Sequence, residues 1–577
     1  MSDQSNSASE ASTIRFSELG LGQNGRLQTR WVLTDIKKID TVKLVIPPTH
    51  ALPIVFIPGI MGSNLCNDKN LPVWLLNSVG DIPHALVATW TGKGAGYRQV
   101  RLHPDKTRVY KRGAVPGNNK TSGIGTEEYI KRGWGEVSQA SYHKFLLWLD
   151  QKMNSQRNPL NWIDFSNSSL STYFDGDGKK HAKLPAGLVM LMAGLPKLAE
   201  NGFPIDPIMS DELLKRSIFS YPIYAFGYNW LRSNDENGRL LSERIKEIIL
   251  ENNKGHVACQ QVIVVTHSMG GLVARACAAL PEMPEKIVGI VHGVMPAVGA
   301  AVAYRRCKVG MADEDYVAGL VIGSDGREVS AVFAQAPGAL QLLPSAEYGK
   351  EWLKIEDPVT GNIQALPQSD PYEEIYLEKN KWWGLIKEDW LNPPDGEPID
   401  WSECVLNVTK AKEFHRKISG VFHPKTFVFY GGGSESNSFS KIKWTIKKGS
   451  APQGGFGISP RVEDIPKLHH NAVRTDGSNN LYVGGERLIR TTTRGDSLSF
   501  IDKETSFWEI SCAFHDSSGD GTVPSSSGGF PRGVGGKKIL QQFELPGVSH
   551  EPAYRDFPVA KQVTYYSITK LSALAKI

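Results

Sequence analysis

The sequence predicts an α/β protein, with a mostly parallel central sheet flanked by helices and interrupted by large insertions. Three observations carry this. Six short apolar runs lack the alternation of a half-exposed strand, as parallel strands covered on both faces do. Helical patterns stand between several of the runs, which is the order of an α/β sheet. The gaps between runs are uneven, and some are too long for simple connections.

The runs are PIVFIPGI (53–60), YPIYAFGY (221–228), QVIVVTHS (261–268), KIVGIVHGV (286–294), KTFVFYGGG (425–433) and KILQQFEL (538–545). Between the second and third, GRLLSERIKEIILENNKG is amphipathic and closes at Gly255. After the third, Val273, Ala276, Cys277 and Leu280 share one helix face, and Pro281 stops the helix. A last helix opens at Pro558 and carries Val559, Val563 and Tyr566 on one side. The apolar stretch from Ile287 to Tyr304 is broken by His292, Pro296 and glycines, so it reads as a buried strand and loop, not a membrane span.

The long gaps place insertions at about 66–215, 297–420 and 434–510, expected to form a cap or lid on a domain spanning 31–577. Two of their segments, LPAGLVMLMAGLPKL (184–198) and KWWGLIKEDWL (381–391), are too apolar for free loops. They either pack on the core or cover an apolar cleft. The composition of GGGSESNSFS (431–440) suggests a flexible surface loop, and residues 1–30 a disordered tail.

Bulk properties narrow the function. A net charge of +5 spread over 577 residues, with no dense basic stripe, argues against a nucleic-acid partner. The six cysteines are scattered without C-x-x-C spacing, so they read as core residues and not as a disulfide framework or zinc site. The opening MSDQSNSASEAS lacks a basic segment followed by an apolar one, so no conventional signal peptide is expected.

The chemistry starts at VVTHSMGG (264–271), where a buried strand turns sharply into a helix at Ser268. A serine hydroxyl becomes a nucleophile when a base takes its proton and N–H donors await the oxyanion. Gly270 and Gly271 permit the tight turn, although Thr266 stands where the G-x-S-x-G pattern has its first glycine. The neighbouring His267 should point to the opposite face and serve in packing. IPGIMGSNL (57–65) follows the first strand, so the amides of Ile60 and Met269 are the expected oxyanion donors. The acid should lie in HDSSGDGTVPSSSG (515–528), where Asp520 occupies a glycine-flanked turn and Asp516 is the alternative. A GDG turn can also hold calcium, but the spaced carboxylates of an EF-hand are lacking, and no metal or cofactor is called for. His550 follows the last strand in FELPGVSHEPAY (543–554), as the base should. His515, His469 and His470 are the other C-terminal candidates, and none follows a strand. The order Ser, Asp, His agrees with a hydrolase triad.

Together IPGIMGSNL, THSMGG, GDGTVP and GVSH resemble the lecithin:cholesterol acyltransferase-like branch of the α/β-hydrolase fold. YAFGYNWLRSN (224–234) is similar to that branch's Y-D-W-R segment, with Asn229 in place of the usual aspartate. HGVMPAVGAAVAYRR (292–306) and AQAPGALQLLP (334–344) more closely resemble bacterial lipase effectors of the type VI secretion system. The likeness runs from about residue 50 to the end. It implies Ser268 as nucleophile, Asp520 as acid, His550 as base, and Ile60 and Met269 as oxyanion donors; a threonine at the elbow occurs in some relatives. It further implies a lipase or phospholipase acting on membrane phospholipid in a rival's periplasm, secretion machinery that delivers it, and an immunity protein that blocks it at home. An acyltransferase or glycolipid deacylase with the same triad, or a non-catalytic lipid- or protein-binding module, are the alternatives.

Overall fold

A computed structural model describes the chain from residue 48 onward, apart from 78–89, 91, 118–123, 155–169, 175–179, 186–194, 196–197, 199–204, 254, 256, 313, 315–322, 451–458, 476–478 and 485–505. Before residue 48 it describes four short strands. The predicted tail (1–30) and the apolar stretch 184–198 therefore lie largely outside the described residues.

Each of the six apolar runs supplies one strand of a single sheet: β1 (Ile54–Ile57), β2 (Ile223–Ala225), β3 (Val262–His267), β4 (Ile287–Gly293), β5 (Thr426–Gly432) and β6 (Ile539–Pro546). Their spatial order is β2-β1-β3-β4-β5-β6, and every neighbouring pair is parallel. The absence of polar alternation has a direct cause. Val55 and Ile57 of β1, and Val262 and Val264 of β3, enter one core; Ile54, Phe56, Ile263 and Val265 enter the other. Both faces of these two strands are thus covered, so polar alternation is lost.

Helices form the two covering layers. α1 (Lys144–Asn154) and α5 (Pro558–Ser572) bury Phe145, Leu149, Val563 and Tyr566 on one face. α2 (Asn234–Asn252), α3 (Gly270–Ala278) and α4 (Trp401–Ile418) bury Leu241, Ile245, Val273, Val408 and Phe414 on the other. α2 starts about one turn earlier than its apolar pattern suggests, because Ser233 caps it by accepting from the Asp235 amide. Pro558 opens α5 as expected. The stretch 287–304 is β4, a loop and the start of a helix (Ala301–Val309). Among the described residues no helix is long and apolar enough to cross a membrane.

The second and third long insertions are not separate decorations. Strands Leu353–Asp357 and Gly361–Leu366 of one pair through Ile442–Lys448 with Trp508–Cys512, Asn480–Val483 and Val473–Thr475 of the other, making a second six-stranded sheet. The segment 381–391 packs into this layer. Trp382 and Trp383 donate their indole N–H groups to the carbonyls of Ile465 and Pro466, and Lys308 Nζ donates to those of Trp382 and Gly384. The stretch 431–440 is a surface loop only in its middle: Ser434, Glu435 and Ser436 are exposed, but Gly431 and Gly432 end β5 and Ser438 is fully buried. All six cysteines are buried, and none forms a disulfide among the described residues.

Candidate functional site

The parts gather where the sheet changes direction. The chain moves from β1 outward to β2 and then returns to the other side of β1 as β3, so the loops leaving β1 and β3 diverge and open a crevice at the carboxyl edge. β1 ends in Pro58-Gly59-Ile60-Met61, and β3 ends in Ser268. Ser268 has φ +51°, a left-handed conformation that a non-glycine residue adopts at a cost of roughly 1–3 kcal/mol.

Close packing holds this turn in place. A Cβ on Gly270 would lie 2.4 Å from the Pro58 carbonyl oxygen, and one on Gly271 would lie 2.5 Å from Met295 Sδ. Both glycines are therefore needed for the helix to approach β1 and the loop after β4. The first elbow position has no such crowding. Thr266 continues β3, and its hydroxyl pairs with His292 Nδ1 of β4 at 3.0 Å.

Ser268, His550 and Asp520 lie on one hydrogen-bonded line. His550 Nε2 is 2.8 Å from Ser268 Oγ, and His550 Nδ1 is 2.8 Å from Asp520 Oδ2. The other carboxylate oxygen, Oδ1, accepts the amides of Thr522 and Val523 at 3.0 and 2.7 Å. A carboxylate only accepts, so His550 carries its proton on Nδ1 and leaves Nε2 bare toward the serine hydroxyl. The Asp520 turn rests on the end of β5, where a Cβ on Gly431 would stand 2.6 Å from the aspartate's own Cβ. Ser438 Oγ accepts the Gly521 amide at 2.9 Å, which explains its burial. His550 is anchored to the same turn through its amide, which donates to the Asp520 carbonyl at 2.8 Å.

The expected oxyanion donors flank the serine. Met269 is its chain neighbour, and Ile60 follows Gly59, whose added Cβ would sit 3.0 Å from Ser268 Cβ. Among the described residues neither the Ile60 nor the Met269 amide has a hydrogen-bond acceptor.

The alternative candidates sit elsewhere. Asp516 accepts from the Ser440 amide, the Ser440 hydroxyl and the Lys441 amide, so it clamps a loop. His515 packs on Phe439, and His469 packs tilted against His470 beside the second sheet. One neighbour of the site, Tyr142, stands in no sequence motif. Tyr142 places its hydroxyl 2.9 Å from His267 Nδ1, and His267 Nε2 meets the His550 carbonyl at 2.8 Å. Burial, with the adjacent His550, pushes the His267 pKa down to about 3. Asn229 uses its amide nitrogen to donate to the carbonyls of Pro104 and Thr107, which the aspartate usual in the resembling branch could not do.

A parallel sheet covered on both faces, with a serine on a left-handed strand-to-helix turn, is the α/β-hydrolase fold. The comparisons agree. Residues 231–309, from the start of α2 through the elbow to the helix after β4, match the PGAP1-like alpha/beta domain. A chain in the crystal structure of the Tle4–Tli4 complex superposes with a TM-score of 0.67 and 26% identity, over 91% of this chain and 99% of that one. That likeness extends through the insertions as well as the sheet. No curated protein matches the chain.

Proposed function

We propose that the chain is a serine lipase or phospholipase A that cleaves membrane lipid esters through Ser268, His550 and Asp520. The observation that carries this is the continuous line Ser268–His550–Asp520, with each contact at 2.8 Å, set on the left-handed elbow. Ser268 Oγ attacks the ester carbonyl while His550 Nε2 takes its proton, and Asp520 holds the imidazole and offsets its charge. The oxyanion is received by the Ile60 and Met269 amides. His550 then returns the proton to the departing alcohol, leaving an acyl-serine. Water, deprotonated by the same histidine, releases the fatty acid and restores the hydroxyl. The insertions at 66–215, 297–420 and 434–510 are read as the cap around the lipid.

The biological setting follows from the similarity to the Tle4 chain solved with Tli4. We read this chain as an antibacterial type VI effector, delivered by secretion machinery into the periplasm of a target cell. A cognate immunity protein would bind and silence it in the producer. The test is a lipid panel scored by mass spectrometry with wild type and Ser268→Ala. Loss of the serine should lower kcat by about 10⁶-fold, below detection. Turnover by the variant near the wild-type rate would overturn the assignment. Adding an alcohol acceptor separates hydrolysis from acyl transfer.

A further inference from the structure

His267 and Tyr142 are absent from the reaction above, yet they touch both ends of its machinery. The direction of every hydrogen bond between them is determined. The His550 carbonyl can only accept, so His267 carries its proton on Nε2, which donates at 2.8 Å. The ring is neutral, with its pKa pushed down to about 3 chiefly by burial, so Nδ1 is bare and must accept the Tyr142 hydroxyl at 2.9 Å. The Tyr142 oxygen in turn accepts the Gly59 amide at 3.1 Å. The line therefore runs one way, from the oxyanion loop, through Tyr142 and His267, to the backbone of the proposed base.

The segment carrying Tyr142 grips both loops at further points. The Ser138 amide donates to the Gly62 carbonyl at 2.8 Å, so the oxyanion loop is held at Gly59 and at Gly62. Between these anchors Met61 has φ +62°, and its carbonyl accepts the Trp74 indole at 2.8 Å. Ser141 Oγ donates to Glu551 Oε1 at 2.9 Å, beside His550. There is no slack at the contact. A Cβ on Gly59 would lie 2.9 Å from His267 Nδ1, and one on Gly62 would lie 2.8 Å from the Tyr142 ring.

We propose that Tyr142 and His267 are positioning residues for ester cleavage, a relay that sets the Ile60 amide and the His550 imidazole at one spacing around Ser268. This rests on the serine-hydrolase reading. His267 touches neither substrate nor the proton in flight; it acts through what it holds. Because it stays neutral while His550 gains and loses a proton, its tautomer and the relay persist through the cycle.

The test uses the full chain and p-nitrophenyl octanoate, with kcat expressed per site titrated by a fluorophosphonate, so that misfolded protein is not counted. Tyr142→Phe removes one oxygen and keeps the ring. A loop displaced by a fraction of an ångström to one ångström should lower kcat by ~10–100-fold, with KM within about twofold. Octylboronic acid, whose serine adduct needs the oxyanion donors, should weaken by a similar factor, whereas octanoate should bind as before. His267→Gln places an amide near the Nε2 position and so breaks only the Tyr142 link. It should match Tyr142→Phe, and the double variant should be no worse than either single one. Tyr142→Phe with kcat within about twofold of wild type overturns the relay, as does a double variant whose losses multiply. If His267→Gln does not fold, the boronate-against-octanoate comparison in Tyr142→Phe decides: a selective loss of boronate supports the relay, and equal changes overturn it. A wild type with neither turnover nor fluorophosphonate labelling sinks the hydrolase reading itself and the relay with it. That outcome is distinct from an active wild type equalled by Tyr142→Phe.

Discussion

Asp520→Asn is the sharpest single test of the proposed chemistry, because the surroundings dictate how an asparagine would sit. Oδ1 of Asp520 accepts two backbone amides, from Thr522 at 3.0 Å and Val523 at 2.7 Å, while Oδ2 faces His550 Nδ1. In the variant, the amide oxygen must take the place of Oδ1, since an NH₂ there would point its hydrogens at two N–H donors. The NH₂ group then faces His550 Nδ1 and donates to it. The imidazole is driven to its other tautomer, with the proton on Nε2, and can no longer take a proton from Ser268. The turn itself survives, because both amides keep an acceptor. Activity should therefore fall without a loss of fold. A wrong-tautomer histidine lowers kcat by ~10⁴-fold, equivalent to about 5.5 kcal/mol in the barrier.

The assay is ester turnover at saturating substrate, with a urea unfolding midpoint on the same preparations. The expected result is the ~10⁴-fold loss of kcat with the midpoint unchanged. Asp520→Ala should lose the turn's acceptor as well and so lower the midpoint. Asp520→Asn with kcat within about tenfold of wild type would refute the reasoning, since the tautomer argument leaves no route to that rate.

Two further outcomes follow from groups outside the proposed triad. Asn229→Asp turns a carboxylate oxygen toward the Pro104 and Thr107 carbonyls in a site only 6% exposed, and should cost about 3 kcal/mol or more; an unchanged urea midpoint contradicts this. Burial holds His267 and His292 near pKa 3 and His143 and His415 near 4, so the folded chain keeps them neutral while the unfolded chain protonates them below about 6.5. The unfolded state then binds more protons, and stability falls as pH drops from about 6.5 to 4, by roughly 1.4 kcal/mol per pH unit for each histidine. Glu136, raised by burial, opposes this as one group. Unfolding free energies from urea titrations against pH should show the slope, and His143→Gln should lower it by about 1.4 kcal/mol per pH unit.

What could be read from the sequence divides along a physical line. Parallel strands buried on both faces announce themselves locally, so all six runs were visible without any knowledge of strand order. The elbow, the GDG turn and the post-strand histidine were visible for the same reason: each needs small or special residues beside it, as Gly270, Gly271 and Gly521 show. Long-range pairing leaves no such mark. Nothing in LKIED (353–357) indicates that it pairs with IKWTIKK (442–448), because register between distant segments is set by mutual burial. Composition locates the exposed part of the serine-rich stretch after β5, Ser434 to Ser436, but not Ser438, which is buried and accepts the Gly521 amide. Tyr142 sits 125 residues before His267 in an insertion, with no motif around it. His267 itself reads from the sequence as a packing residue. Its burial agrees with that, yet both ring nitrogens are engaged in directed bonds.

The strain at the sheet edge ties these observations together. Three adjacent strands, β1, β3 and β4, are each followed by a non-glycine residue in the left-handed region: Met61, Ser268 and Val294. Val294 is the least comfortable, because a β-branched side chain rarely adopts φ +45°. Such conformations persist where the surroundings leave no alternative. Here Val294 N–H donates to the Phe429 carbonyl, Met61 lies between the anchored Gly59 and Gly62, and Ser268 is wedged by the approach of Gly270 to Pro58. The strain is thus imposed by close packing and by backbone hydrogen bonds around the crevice, among them the Ser268 amide's bond to the Gly293 carbonyl at 2.9 Å. In the proposed reaction, an elbow built this way would hold Ser268 Oγ toward His550 before substrate arrives, as a nucleophile needs if little reorganisation is to accompany the attack.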